Sequence, residues 1–172
     1  YFIPGAVKVA VFDDRIEITN PGVSLIDTLR FIDHAPHSRN EKLASVMRRT
    51  NICEERGSGV DKVVGQCEVF QLPAPEFYQG DNYLRVTLYA PRELKDMDKK
   101  DKTRACYQHC CLKWVSNDFM TNQSLRQRFQ IDDKNYAIAS RIISDSIDAG
   151  LVKDADATNL SNRYAKYVPV WA

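Results

Sequence analysis

Gly57, Ser58 and Gly59 stand between a charged run, Glu54-Glu55-Arg56, and a segment in which Val60, Val63, Val64, Cys67 and Phe70 recur at helical spacing. A glycine-rich turn running into a helix N-terminus presents free backbone N–H groups and the positive end of the helix dipole, which is what a phosphate needs. The same Gly-x-Gly also makes a tight turn between packed helices for steric reasons, and on these residues alone both readings stay open. Other reactive residue types do not combine. Cys106, His109, Cys110 and Cys111 fall within two turns of one helix with no second pair to complete a zinc tetrahedron, so they are expected to pack a helix rather than hold a metal. His34, His37 and His109 stand beside no Ser or Cys in a nucleophile context, and Asp13-Asp14 reads as a hairpin turn before a carboxylate pair. No G-x-x-x-x-G-K-[ST] loop occurs. No catalytic residue is expected in this chain.

The 172 residues carry a net charge of +1, with 44% hydrophobic and 27% charged residues, which excludes a disordered tail and a strongly basic nucleic-acid coat. No apolar run is long enough to span a membrane, and no signal pattern opens the chain, so a cytoplasmic location is expected. Five cysteines, two of them adjacent, suit a reducing compartment better than a disulfide framework. The chain opens on Tyr1 without a methionine, which leads us to expect a piece of a longer protein.

The elements that must position these residues fall into two blocks. Alternation predicts a hairpin over residues 7–18, with Val7, Val9 and Val11 on one side and an Asp13-Asp14 turn, ended by Asn20-Pro21-Gly22. Helical patterns follow at 24–32, with Ser24 as cap, and at 41–49, with Asn40 as cap and Arg48 and Arg49 at the C-terminal end. A third helix opens at Gly59, the prolines of Leu72-Pro73-Ala74-Pro75 force an extended path, and residues 82–90 alternate as a strand. Residues 1–90 are thus a small sheet with covering helices. Residues 91–102 hold five basic and four acidic side chains and read as a linker or an exposed helix start.

Residues 103–172 give three helices and two short strands, the order of a winged helix-turn-helix domain. In the third helix, Ile138, Ala139, Ile142, Ile143 and Ile147 gather on one side and Lys134, Ala137, Arg141, Ser144 and Asp148 on the other. Lys134, Asn135, Ser140 and Arg141 are therefore candidates to reach phosphates and base edges of duplex DNA, with Asn162, Arg163 and Lys166 in or beside the wing touching the backbone. Against this, nine basic and seven acidic residues leave the block at only +2, and Asp145 and Asp148 lie on the same side. A protein-interaction or oligomerisation module without DNA contact is the alternative.

The runs VFDDRIEITNPG, HSRNEKLASVM, ICEERGSGVDKVV, PAPEF and YLRVTLY, in this order, resemble the C-terminal region of bacterial RecG-related ATP-dependent DNA helicases. The same group includes transcriptional regulators with a Schlafen-type (AlbA-like) N-terminal domain. The resemblance covers about ninety residues, and the C-terminal segment looks like the winged helix that ends many members. It implies a GHKL-like ATP-binding fold in which Arg39, Asn40, Arg56, Gly57, Ser58 and Gly59 would face a nucleotide. The family's Asn-Ala…His-Arg-Asp-Tyr signature is present here only as Tyr1. ATP and Mg are accordingly expected in the full-length protein and no cofactor in this chain. The expectation as a whole is an α+β fold: a GHKL-like domain lacking its N-terminal part (1–90), a linker (91–102) and a winged helix (103–172). Its function would be that of a DNA-binding transcription regulator, acting as a homo-oligomer.

Overall fold

In the computed structural model, residues 5–35, 37–52, 57, 59–156 and 165–172 are described. Strands β1 (Lys8–Val11) and β2 (Arg15–Pro21) form the expected hairpin, with Val9 opposite Ile18 and Val11 opposite Ile16. The Phe12 N–H donates to the Arg15 carbonyl at 2.8 Å, which makes 12 and 15 a hydrogen-bonded pair. Bonded and non-bonded pairs alternate in an antiparallel ladder. Val9 and Val11 consequently take non-bonded positions and direct their own N–H and C=O to the outer edge. Strand β3 (Glu76–Gln79) and strand β4 (Tyr83–Tyr89) complete an antiparallel sheet of order β1-β2-β4-β3.

The register sorts side chains by the two-residue period. Val9, Ile18, Val86 and Phe77 make one apolar row, with Val11, Ile16 and Leu88 beside it; Lys8, Thr19, Arg85 and Tyr78 make a row on the opposite face. The apolar face is covered at its β3 end, where Phe77 meets Phe31 edge-on at 5.4 Å and joins a core of Ile32, Val64, Tyr107 and Cys111. At its β1 end it is open: Val7, Val9 and Val11 are 59%, 60% and 75% exposed.

Helix α1 (Glu41–Arg49) starts where the Asn40 side chain accepts from the Leu43 N–H at 3.0 Å, and it buries no residue. Helix α2 (Gly59–Val69) buries Val64 and Cys67. Between β2 and α1 the expected helix shrinks to one 3-10 turn, Thr28–Arg30, capped by Asp27. The Ser24 hydroxyl accepts from the Ile26 N–H instead, closing a local turn that competes with a helix start.

Residues 91–102, expected to run as a linker, carry a 3-10 turn at Leu94–Asp96 and the first turn of α3 (Lys99–Val115), and they bury Met97 and Asp101. The Asp98 carboxylate caps α3 by accepting from the Asp101 N–H at 2.7 Å. Helix α4 (Asn122–Phe129) opens on a reciprocal cap between Thr121 and Ser124, and helix α5 (Tyr136–Asp148) ends before Gly150, whose φ of 68° suits glycine. Strands β5 (Val152–Asp154) and β6 (Tyr167–Pro169) pair antiparallel, and Met120 bridges to Tyr167.

The fold is α+β. Ala105, Cys106 and Cys110 of α3 pack with Met120, Leu125, Ala139, Ile142, Ile143 and Val152. On α5 the buried residues are Ala139, Ile142, Ile143 and Ser146, whereas Ile138 and Ile147 are 45% and 40% exposed. Ser146 enters the apolar face without penalty because its hydroxyl donates to the Ile142 carbonyl at 2.8 Å, one turn back.

Candidate functional site

Of the residues expected around the glycine turn, Arg56 and Ser58 lie outside the described residues. Gly57 has a φ of 65°, the left-handed region that glycine enters without strain. Gly59 opens α2, and a Cβ placed there would meet nothing within 4 Å, so close packing does not require that glycine. The Arg39 guanidinium donates to the Val23 carbonyl, and the Asn40 side chain accepts from the Leu43 N–H in the α1 cap. Asp61 sits in the first turn of α2, and its Oδ1 is buried with no hydrogen-bond partner among the described residues. Burial pushes its carboxyl up from the ordinary range, and the charge of Asp33 adds to this. A carboxyl here opposes a phosphate at the helix start.

The second group lies on α5 and its surroundings, with Asn162 and Arg163 outside the described residues. Lys134, Asn135, Ser140 and Arg141 are all exposed. Lys134 lies 3.5 Å from the Asp132 carboxylate, and the Ser140 hydroxyl accepts from Asn122 Nδ2 at 2.9 Å. Arg141 forms no ion pair among the described residues. Asp145, read from the sequence as a repulsive acid on this face, is paired with Lys99 at 2.6 Å across the start of α3. Lys166 lies 4.9 Å from the centre of the Phe119 ring, beside β6.

A third group was not singled out by sequence reasoning. His109 of α3 is buried, with Nδ1 3.0 Å from the Glu68 carboxylate on α2 and Nε2 3.0 Å from the Ser124 hydroxyl on α4. Arg128 of α4 is buried against the same carboxylate at 3.4 Å and donates to the Leu72 carbonyl at 2.7 Å. Burial pulls its guanidinium below the ordinary range, and Glu68 opposes that shift. The order Glu68, His109, Ser124 is that of a nucleophile relay. Ser124, however, is buried, and its hydroxyl already accepts from the Thr121 N–H at 3.0 Å in the α4 cap. The group therefore works as a joint. Arg104 donates to the Ala74 carbonyl at 3.0 Å, Gln108 to the Pro75 carbonyl at 2.8 Å, and the Tyr107 hydroxyl to the Leu29 carbonyl at 2.5 Å, and all three cross between the blocks. Burial pushes the thiols of Cys106 and Cys111 up to about 12, and that of Cys110 up as well, so none is a ready thiolate.

Comparison with known proteins gives one family match and one solved structure. Residues 5–88 match the family described as "Putative ATP-dependent DNA helicase recG C-terminal". No curated protein matches the chain. A crystal structure of the DIP2311 protein from Corynebacterium diphtheriae aligns with 91% of this chain at 10% identity and a TM-score of 0.41. The chain spans 44% of that protein's length. Among the described residues, no helix is long and apolar enough to cross a membrane.

Proposed function

We propose, with residues 5–88 RecG-related as the premise, that this chain is the DNA-binding portion of a transcription regulator. In this reading α3, α4 and α5 with β5 and β6 form a winged helix, and α5 enters the major groove of duplex DNA. The observation that carries the reading is the charge state of the exposed α5 face. Arg141 stands without an ion-pair partner among the described residues, while the nearby acid, Asp145, is neutralised by Lys99. An unspent guanidinium beside a neutralised carboxylate is what a phosphate or a guanine edge meets favourably. Asn122 braces the same face by donating to the Tyr136 carbonyl at 3.0 Å and to Ser140. ATP and Mg belong, in this reading, to the full-length protein, and residues 5–88 act here as the support on which the reading head is mounted.

Arg141→Ala tests the proposal. Its side chain is exposed, so the fold survives, and thermal unfolding run alongside checks this. Fluorescence anisotropy on duplex DNA should show a loss of about 1 to 3 kcal/mol for a base contact, or a uniform loss with a salt slope lower by about one for a phosphate contact. Unchanged DNA affinity together with altered sedimentation would transfer α5 to the rival role, an assembly module without DNA contact.

A further inference from the structure

We infer that the polar face of the four-stranded sheet carries, at its β3–β4 end, a binding site for single-stranded nucleic acid, with Tyr78 and Tyr83 stacking on bases and Arg85 meeting a phosphate. The register places Arg85 beside Tyr78 on one side and Thr19 and Lys8 on the other, in a row that crosses all four strands. Charged and hydroxyl side chains in this row make it the face that meets solvent, whichever elements extend the sheet beyond β1 or cover its apolar side. Two aromatic rings stand on it all the same. Tyr78 is 45% exposed, and its ring centre lies 6.0 Å from that of Tyr83, with the planes tilted by 44°. The Tyr83 ring rests on Gly80, where a Cβ would stand only 2.4 Å from it, so the turn between β3 and β4 is shaped to that ring.

The state of the charges selects the occupant. The Arg85 guanidinium lies over the Tyr78 ring at 5.1 Å. Among the described residues Arg85 forms no ion pair, and its Nε is buried without a hydrogen-bond partner. An unmet buried donor is unfavourable, and an anionic oxygen would satisfy it. The acids of the same face are already engaged: Glu17 accepts from Arg15 at 2.8 Å, and Glu76 accepts from the Tyr89 hydroxyl at 3.1 Å. An acidic peptide would meet the guanidinium but gain nothing specific from the rings, whereas a single strand offers a flat π-face and a phosphate at every nucleotide. A duplex keeps its base faces inside its own stack and cannot lay them on a tyrosine. Four-stranded sheets with aromatic side chains on the open face stack two or three bases in this manner. The site uses none of the α5 residues assigned above to duplex DNA.

Fluorescence anisotropy of a labelled oligothymidylate of about 15 nucleotides, titrated with the whole chain at two salt concentrations, tests the site. Tyr78→Ala is expected to weaken binding about five- to 150-fold, the range for losing one base stack, whereas Tyr78→Phe keeps the ring and should stay within about twofold. Arg85→Ala should weaken binding and lower the slope of log affinity against log salt by about 0.7, the single-strand value for one phosphate. Tyr78 is exposed and Arg85 has no ion pair to lose among the described residues, so the fold survives both changes, and thermal unfolding run alongside checks this. No binding of the oligonucleotide, no effect of Tyr78→Ala, a Tyr78→Phe chain as weak as Tyr78→Ala, or a salt slope unmoved by Arg85→Ala would each overturn the inference. So would a poly-glutamate peptide that displaces the label as well as unlabelled oligothymidylate does, which would make the occupant an acidic peptide.

Discussion

Glu68 is the residue on which the joint between the blocks turns. It is bonded to His109, and among the described residues it is the one carboxylate against the buried Arg128. The Arg128 Nε is too far out of line for a hydrogen bond to Glu68, so their attraction is ionic. Glu68→Gln keeps the shape and leaves a buried guanidinium uncompensated, and breaking such pairs costs about 3 to 5 kcal/mol. Because Glu68 retains some exposure, a loss near the lower end is expected, read as a shift of the urea midpoint. Asp61 behaves in the opposite sense. Its carboxyl is pushed up by burial, so the folded state holds the proton more tightly than the unfolded one, and stability falls as pH rises above the ordinary aspartate range of about 4. Asp61→Asn should therefore raise the melting temperature at neutral pH, and the gain should vanish below about pH 4. A gain that persists in acid would mean that charge is not what Asp61 costs the fold.

Helix α3 shows what sequence pattern delivers and what it misses. Val9, Ile18 and Val86 alternate because their sheet has one apolar face, and the hairpin, α1 and α2 were legible from such periods and from Asn40. Helix α3 is instead buried on both sides between residues 103 and 111, with Cys106 and Cys110 toward α4 and α5, and Gln108 and His109 toward residues 68–75. A helix wrapped by apolar core on one side and by polar acceptors on the other has no single hydrophobic stripe, so its burial is invisible to periodicity. The same blindness made residues 91–102 read as a linker or an exposed helix start, although Met97 and Asp101 are buried and Arg92 pairs with Asp101 at 2.9 Å. Limited trypsin digestion is accordingly expected to leave Lys99, Lys100 and Lys102 uncut while the protein is native. Early cleavage there would show that the first turn of α3 opens. On α5, the face carrying Arg141 was legible, but the neutralisation of Asp145 was not, because Lys99 lies 46 positions earlier in the chain.

At the scale of the molecule, Ile32 and Val64 share one core with Tyr107 and Cys111, and the Trp171 indole N–H donates to the Tyr107 hydroxyl at 2.8 Å. First and second blocks are therefore expected to unfold together, in one calorimetric transition with a van't Hoff to calorimetric enthalpy ratio of about 1. Two resolved transitions would show that the shared core is too weak to couple them. The joint itself has two unlike sides. Arg128, Arg104, Gln108 and Tyr107 contribute particular side chains, whereas Leu72, Ala74, Pro75 and Leu29 contribute carbonyls that any residue would offer. Heredity should treat these sides unequally: the donor side has little room to drift, and the acceptor side can change its letters freely as long as the main chain keeps its path. The prolines at 73 and 75 help hold that path open, since neither brings an N–H that would compete for the carbonyls. A block mounted in this way can be inherited by many different supports, because the socket is spelled in backbone.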